Sequence, residues 1–281
     1  MNRMNKITKS GVFLDTDEEG YLISDSSAGK IVPPWSEAVD FARKLEVLRL
    51  GDRLHSLYLR GSVARGRAIL GRSDLDLFAV LFDDEQSNAP PPPLWSQNME
   101  FRHKFPFVTN VESSNITLAN VRGPFHYYRF VIKLSAVCIH GEDLVPKIAP
   151  YKADAPIAEE WFRIFPHLID KLVSDLEKAH EEVPKKNLCQ DIMKAFLRAG
   201  FLLVMKRQNA YTRDLYPSYQ CFSKFYPERE ATMWRCLELA ANPPADPQQF
   251  LTMVAEFAEW MRQAFEAEFG ALELLPASLL Q

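Results

Sequence analysis

The chain has 281 residues, room for two domains of about 100 to 200 residues each with cores that need no staples. Its 47% hydrophobic and 25% charged content excludes wholesale disorder, collagen-like repeats and disulfide scaffolds. With 33 Lys and Arg against 37 Asp and Glu, the net charge is -4, which argues against a nucleic-acid partner held by the overall field but permits a local basic pocket. The 4 cysteines lie at 138, 189, 221 and 236 without CxxC or Cys/His spacing, so they read as reduced thiols and not as zinc ligands. No apolar run is long enough for a signal peptide or a membrane span, which makes the expectation cytoplasmic, with no membrane partner.

In chain order, Val12 to Leu14 and Tyr21 to Ile23 read as a small hairpin around an acidic turn. A helix follows, with Ser36 as its cap, Ala38, Phe41, Ala42, Leu45 and Leu48 on one stripe, and Gly51 as its stop. SLYLRGS is a compact apolar strand running into a Gly-Ser turn, and SDLDLFAVLF alternates acidic and apolar residues as a half-buried strand does. DDEQSNAPPPPLW is a Pro-rich connection. Another strand is expected within Phe107 to Thr117, a helix within Pro124 to Ser135, and a short strand in AVCIHGEDL.

From Ile157 strand signals stop. Trp161, Phe165, Leu168, Leu172 and Leu176 recur at helical spacing, with Pro166 marking a kink or a start. Residues 189 to 207 form a helix apolar all round, another is expected over 228 to 241, and a last one begins at Asp246 with Pro247 in its first turn. The fold class is therefore α+β, a mixed sheet with flanking helices over residues 1 to 150 followed by an α-helical bundle over 151 to 281.

The chemistry concentrates in LYLRGSVARGRAILGRSDLDLFAVL. Residues two apart in a strand share a face, so Asp74 and Asp76 point the same way while Leu75 and Leu77 point inward. Two adjacent carboxylates repel unless a cation neutralises them, and oxygen ligands of this kind suit Mg²⁺ together with waters and substrate phosphates. Gly61 permits close backbone approach, and Ser62 adds a hydroxyl and an amide for a phosphate oxygen. A lone DxD usually marks a solvated turn; both motifs at the ends of apolar strands joined by a short basic turn say more.

These residues resemble the nucleotidyltransferases of the DNA polymerase beta superfamily, and GSVARGRAILGRSDLDLFAV is most similar to the minimal nucleotidyltransferases and the aminoglycoside adenylyltransferases. Eleven residues separate Ser62 from Asp74, one more than in those relatives, so Arg65, Arg67 and Arg72 are not carried over as ligands. The resemblance implies a third carboxylate on a later strand, for which Glu112 in FVTNVESSNITL is the candidate and Glu100 the fallback. Glu112 would serve as general base or as a further metal ligand; the bland reading is a surface glutamate. Ser73 would help Gly61 and Ser62 cradle phosphates. Over the helical half, KAFLRAGFLLVMKRQNAYTRDL implies Arg198 and Arg213 as cations for the triphosphate, with Lys206, Lys224 and Tyr211 as weaker candidates. For Arg198 the competing reading is a polar stripe in which Asp191 pairs with Lys194 or Arg198.

The expected activity is Mg²⁺-dependent transfer of a nucleoside monophosphate, AMP from ATP or the equivalent from another nucleoside triphosphate, onto a hydroxyl of a small molecule or protein, releasing pyrophosphate. Asp74, Asp76 and Glu112 are the expected catalytic and metal-binding residues. The alternative is a nucleotide-binding regulator or antitoxin-like partner protein that does not turn over.

Overall fold

In the computed structural model the described residues are 7, 9–83, 93–95, 98–244, 248–271 and 273–275. The chain divides into two compact units, Asp15–Tyr151 and a second composed of Met1–Leu14 with Lys152–Gln281.

The first unit is built on a four-stranded mixed sheet. Its strands are β1 (Leu54–Arg60), β2 (Leu75–Leu81), β3 (Val111–Thr117) and β4 (Ala136–Gly141), in the order β3-β2-β1-β4. β1 runs antiparallel to both β2 and β4, whereas β2 and β3 are parallel. The period-two pattern divides the side chains between two cores. Leu57, Leu59, Leu75, Leu77, Ala79 and Val111 face one layer with Ala38, Val39 and Ala42 of helix α1 (Trp35–Leu50). Tyr58, Phe78, Val80 and Ile116 face the other, with Val121 and Ile132 from two helices that follow β3. Leu57, Leu59, Leu75 and Leu77 are wholly buried, each contributing about 1.5–3 kcal/mol over an exposed position.

Gly61–Ala64 forms one helical turn, α2, after β1. Met99–Lys104 (α3) is capped by Asn98, whose side chain accepts the Phe101 N–H at 3.0 Å. Leu118–Arg122 (α4) carries a capping box between Thr117 and Asn120, and Tyr127–Ser135 (α5) leads into β4. The helix expected from Pro124 thus starts at Tyr127, and the strand expected from Phe107 starts at Val111, because residues 105 to 110 turn and pair through single bonds such as Val108 N–H to Phe105 O, 3.1 Å. Ser36 lies inside the first turn of α1 and Pro34 takes the cap position, so Ser36 is not the cap. Gly51 stops the helix at φ +52° with its N–H on Val47 O. Most of the Pro-rich connection, residues 84–92, lies outside the described residues.

The second unit is helical: α6 (Ala155–Lys178), α7 (Glu182–Gln208), α8 (Leu215–Phe225), α9 (Glu230–Ala241) and α10 (Gln248–Phe269). α6 continues through Pro166, so that proline marks no start. α7 is central, packing on α6, α8, α9 and α10, which is why apolar residues surround it. At Gly200 a Cβ would approach Phe222 Cδ2 to 2.8 Å, so the glycine lets helices close in. α8, in YPSYQCFSKF, was not expected; its Pro217 sits in the first turns, where a missing N–H costs nothing. Asp246 and Pro247, expected to open the last helix, lie outside the described residues.

The expected hairpin is corrected. Thr16 and Leu22 form an isolated bridge, with Asp17 N–H on Tyr21 O at 2.9 Å and Ile23 N–H on Asp15 O at 2.8 Å. Val12 and Leu14 instead belong to the helical unit: Val12 N–H donates to Asp214 Oδ2 at 2.9 Å, Leu14 N–H to Tyr211 O at 2.8 Å, and the Thr212 hydroxyl to Val12 O at 2.6 Å. These long-range bonds satisfy backbone groups that a local hairpin would have paired. The 4 cysteines are free thiols, and among the described residues no helix is long and apolar enough to cross a membrane.

Candidate active site on the sheet edge

The Gly-Ser and Asp-x-Asp motifs meet because β1 and β2 are antiparallel: the end of one lies beside the start of the other. Arg60 is the register partner of Asp76, and Asp76 is the register partner of Glu112 on β3. Arg60, Asp76 and Glu112 therefore form one row across three strands. Neighbouring strands lie about 4.8 Å apart, so the two residues stand side by side on one face of the sheet. Asp76 is half-buried and Glu112 exposed.

Gly61 supplies the close approach that the sequence suggests. Its φ is +77°, and a Cβ there would stand 1.8 Å from Asp76 Oδ2, so any other residue would both strain the backbone and displace the carboxylate. Ser62 follows, with a buried Oγ that has no hydrogen-bond partner.

The connection from β1 to β2 is an ordered turn. Arg67 N–H bonds Ser62 O at 2.8 Å, and Gly66 N–H bonds Val63 O at 3.1 Å. Asp25 takes the basic residues of this turn: Arg65 Nε at 2.8 Å and Arg67 at 3.7 Å from its Oδ2. Ser73 fixes the far side of the turn, its hydroxyl accepting Ile69 N–H at 2.9 Å. Ser73 O then accepts Thr109 N–H at 3.1 Å, and Leu75 N–H donates to Asn110 O at 2.9 Å. These bonds pin Asp74, half-buried and one residue before β2, between two anchored neighbours.

Of the three expected ligands, the structure thus brings Asp76 and Glu112 into one register and leaves Asp74 two residues upstream. Among the described residues no group of three or more His, Cys, Asp or Glu side chains is gathered into an ion cage. The donor set nonetheless suits Mg²⁺, which commonly takes one or two protein carboxylates and fills the rest of its octahedron with water and phosphate oxygens. Glu100, the fallback, lies in the first turn of α3 and outside the row.

The helical unit carries the other candidates. Lys194 pairs with Asp191 at 3.3 Å, leaving Arg198 exposed on α7 and, among the described residues, without an ion pair. Arg213 is half-buried in the loop between α7 and α8. Lys206 lies in the last turn of α7. Lys224 donates to Gln208 Oε1 at 3.4 Å, and the Tyr211 carbonyl holds Leu14. Arg60 was not singled out from the sequence. Its position before the Gly-Ser turn on an apolar strand was the available signal, but only the register shows which residues it opposes.

Among solved structures, that of the spectinomycin adenyltransferase AAD(9) from Enterococcus faecialis with ATP and spectinomycin is similar to this chain, at 13% identity and a TM-score of 0.47, over 82% of this chain and 99% of that one. No family model matches the chain, and no curated protein does.

Proposed function

We propose that the chain is a Mg²⁺-dependent nucleotidyltransferase that moves AMP from ATP, or the equivalent group from another nucleoside triphosphate, onto a hydroxyl of a small molecule or protein. The observation that carries this reading is the pairing of Asp76 with Glu112 in one register, with Gly61 closed against Asp76. Closing a backbone position that must be glycine against a carboxylate of this row is pointless for a solvated turn.

Asp76, with Asp74 upstream and Glu112 across the row, would hold Mg²⁺, which when bound supplies positive charge to the triphosphate. The Ser62 hydroxyl, unpartnered and buried, donates to a phosphate oxygen. Ser73 holds the turn that positions Asp74. Glu112, as the exposed member of the row, accepts the proton of the acceptor hydroxyl as its oxygen attacks the α-phosphorus. The bond from that phosphorus to the bridging oxygen breaks, and pyrophosphate leaves with the electron pair. Arg198 and Arg213 are assigned as further cations for the nucleotide. Catalysis on this plan is alignment and charge neutralisation.

The test incubates the purified protein with each labelled nucleoside triphosphate, Mg²⁺ and a panel of hydroxyl acceptors, including cell extract, and measures pyrophosphate release. Transfer of label by wild type and not by Asp76→Asn is expected. Nucleotide binding without release across the panel would replace the enzyme by a nucleotide-binding regulator.

A further inference from the structure

We propose that Arg60 is a phosphate-binding residue, taking the phosphates that leave when the nucleotidyl group is transferred. The proposal rests on the nucleotidyl-transfer reading of the Asp76 row and deepens it.

Arg60 ends β1 opposite Asp76, with Ala136 on its other side. By strand alternation it shares the face of Tyr58, two residues back. The contrast between those two residues is informative. The Tyr58 hydroxyl is engaged, accepting Leu144 N–H at 2.7 Å. Arg60 is half-buried, its Nε is buried without a hydrogen-bond partner, and among the described residues it makes no ion pair. A guanidinium carries five donors and no acceptor, so leaving one of them dry carries a penalty unless a ligand repays it.

Nearby arginines are committed elsewhere. Arg65 is held by Asp25, Arg49 by Glu46 and Arg122 by Asp83. Ser62 Oγ, two residues beyond Arg60, is also buried and unpartnered. Two buried donors so close in the chain, in the same row as Asp76 and Glu112, suit a polyanion that carries a divalent cation. One guanidinium against two carboxylates gives the row a charge of -1, and a divalent cation turns it to +1. The ligand chemistry is a Mg²⁺-bound chain of phosphates; a nucleoside alone offers the row nothing to neutralise.

Calorimetric titration with Mg²⁺-tripolyphosphate and, separately, with adenosine tests this in wild type, Arg60→Met, Arg60→Lys and Asp76→Asn, with a urea midpoint for each. Arg60→Met keeps most of the apolar stem and removes the donors. It is expected to weaken tripolyphosphate binding about ten- to a hundredfold, the loss of a charge-assisted hydrogen bond, with adenosine affinity and the ligand-free midpoint unchanged. Arg60→Lys, which keeps the charge and loses the fork, is expected between the two. Wild-type tripolyphosphate affinity in folded Arg60→Met overturns the proposal. So does a midpoint that falls in Arg60→Met and returns in Arg60→Lys without any change in affinity, since that describes a structural arginine. If tripolyphosphate binding ignores both Mg²⁺ and Asp76→Asn, the nucleotidyl-transfer reading fails as well; if it needs both but not Arg60, only the role of Arg60 falls.

Discussion

Strand β3 carries two charged neighbourhoods on opposite faces. On one, Ser113 and Asn115 complete a buried ion pair from α1. Glu46, wholly buried, accepts Arg49 Nε at 2.9 Å and Nη2 at 2.7 Å, and its other oxygen accepts Trp95 Nε1 at 3.1 Å. Arg49 Nη2 reaches Asn115 Oδ1 at 3.3 Å and Ser113 Oγ at 3.4 Å. On the other face Glu112 lies beside Asp76 and, one strand further, Arg60, where Arg60 Nε and Ser62 Oγ have no hydrogen-bond partners. The first arrangement is closed: charge is matched within the protein, and no ligand is needed. The second keeps donors dry and like charges adjacent, which folding alone does not reward. The contrast is between an ion pair closed within α1 and β3 and a row in which two buried donors, Arg60 Nε and Ser62 Oγ, have no hydrogen-bond partner.

The open row should break chiefly in activity, with Gly61→Ala also losing stability because its φ is positive. Gly61→Ala, which drives a Cβ onto Asp76, and Asp76→Asn should each reduce transfer by about 10³-fold, as losing a preorganised charged contact does. Asp76→Asn should keep a cooperative melting transition without Mg²⁺, since Asp76 is half-buried at the start of β2 and outside the apolar core. Rates and melting temperatures in the same preparations check both halves, and near-wild-type turnover with Mg²⁺ would return Asp76 to the solvated surface.

The closed pair should break the opposite way. Arg49→Met leaves Glu46 buried and uncompensated, a loss of about 3–5 kcal/mol by urea titration, with activity per folded molecule retained. Replacing both residues, Glu46→Leu with Arg49→Met, should recover most of that loss. A double variant as unstable as the single one would show that Trp95 and Ser113 depend on the charges themselves.

In the helical unit, Arg198→Ala and Arg213→Ala should each weaken ATP binding by about 1.5–3 kcal/mol. Arg198 is exposed and without an ion pair among the described residues, so its urea midpoint should hold. Unchanged affinity in both variants would confine nucleotide binding to the α/β unit.

The smallest effect concerns Tyr58, where the face of the row turns apolar. Burial pushes its phenol up from 10.0 to about 12, so the folded state favours the neutral form. Its contribution to stability is therefore complete below about pH 10 and disappears as pH rises through about 12. Tyr58→Phe should cost about 1 kcal/mol at pH 7, because the Leu144 N–H loses its acceptor, and should flatten part of the decline in urea midpoint between pH 10 and 12. Part of the decline should remain, since Tyr219 in the helical unit is also raised to about 12 by burial and its bond to Glu230.

Local pattern determined much of this protein. Alternation in SDLDLFAVLF placed Leu75 and Leu77 in the core, the apolar circumference of α7 announced a central helix, and glycine before serine marked the turn that closes on Asp76. Each depends on residues a few positions apart, whose relation is set by strand and helix geometry. Tertiary structure alone decided which charges meet. Glu46 and Arg49, three apart on a helix, have the spacing of an ordinary exposed pair, and burial beneath Trp95 and β3 made them core. Arg60, Asp76 and Glu112 are separated by 16 and 36 residues, and a slip of one residue in either strand pairing would send a member of the row to the opposite face. Val12 and Leu14 alternate like a hairpin strand, yet their backbone groups found Asp214 and Tyr211 some 200 residues away. Register and long-range partner choice are settled by packing the whole sheet and bundle, and no local window of sequence contains that information.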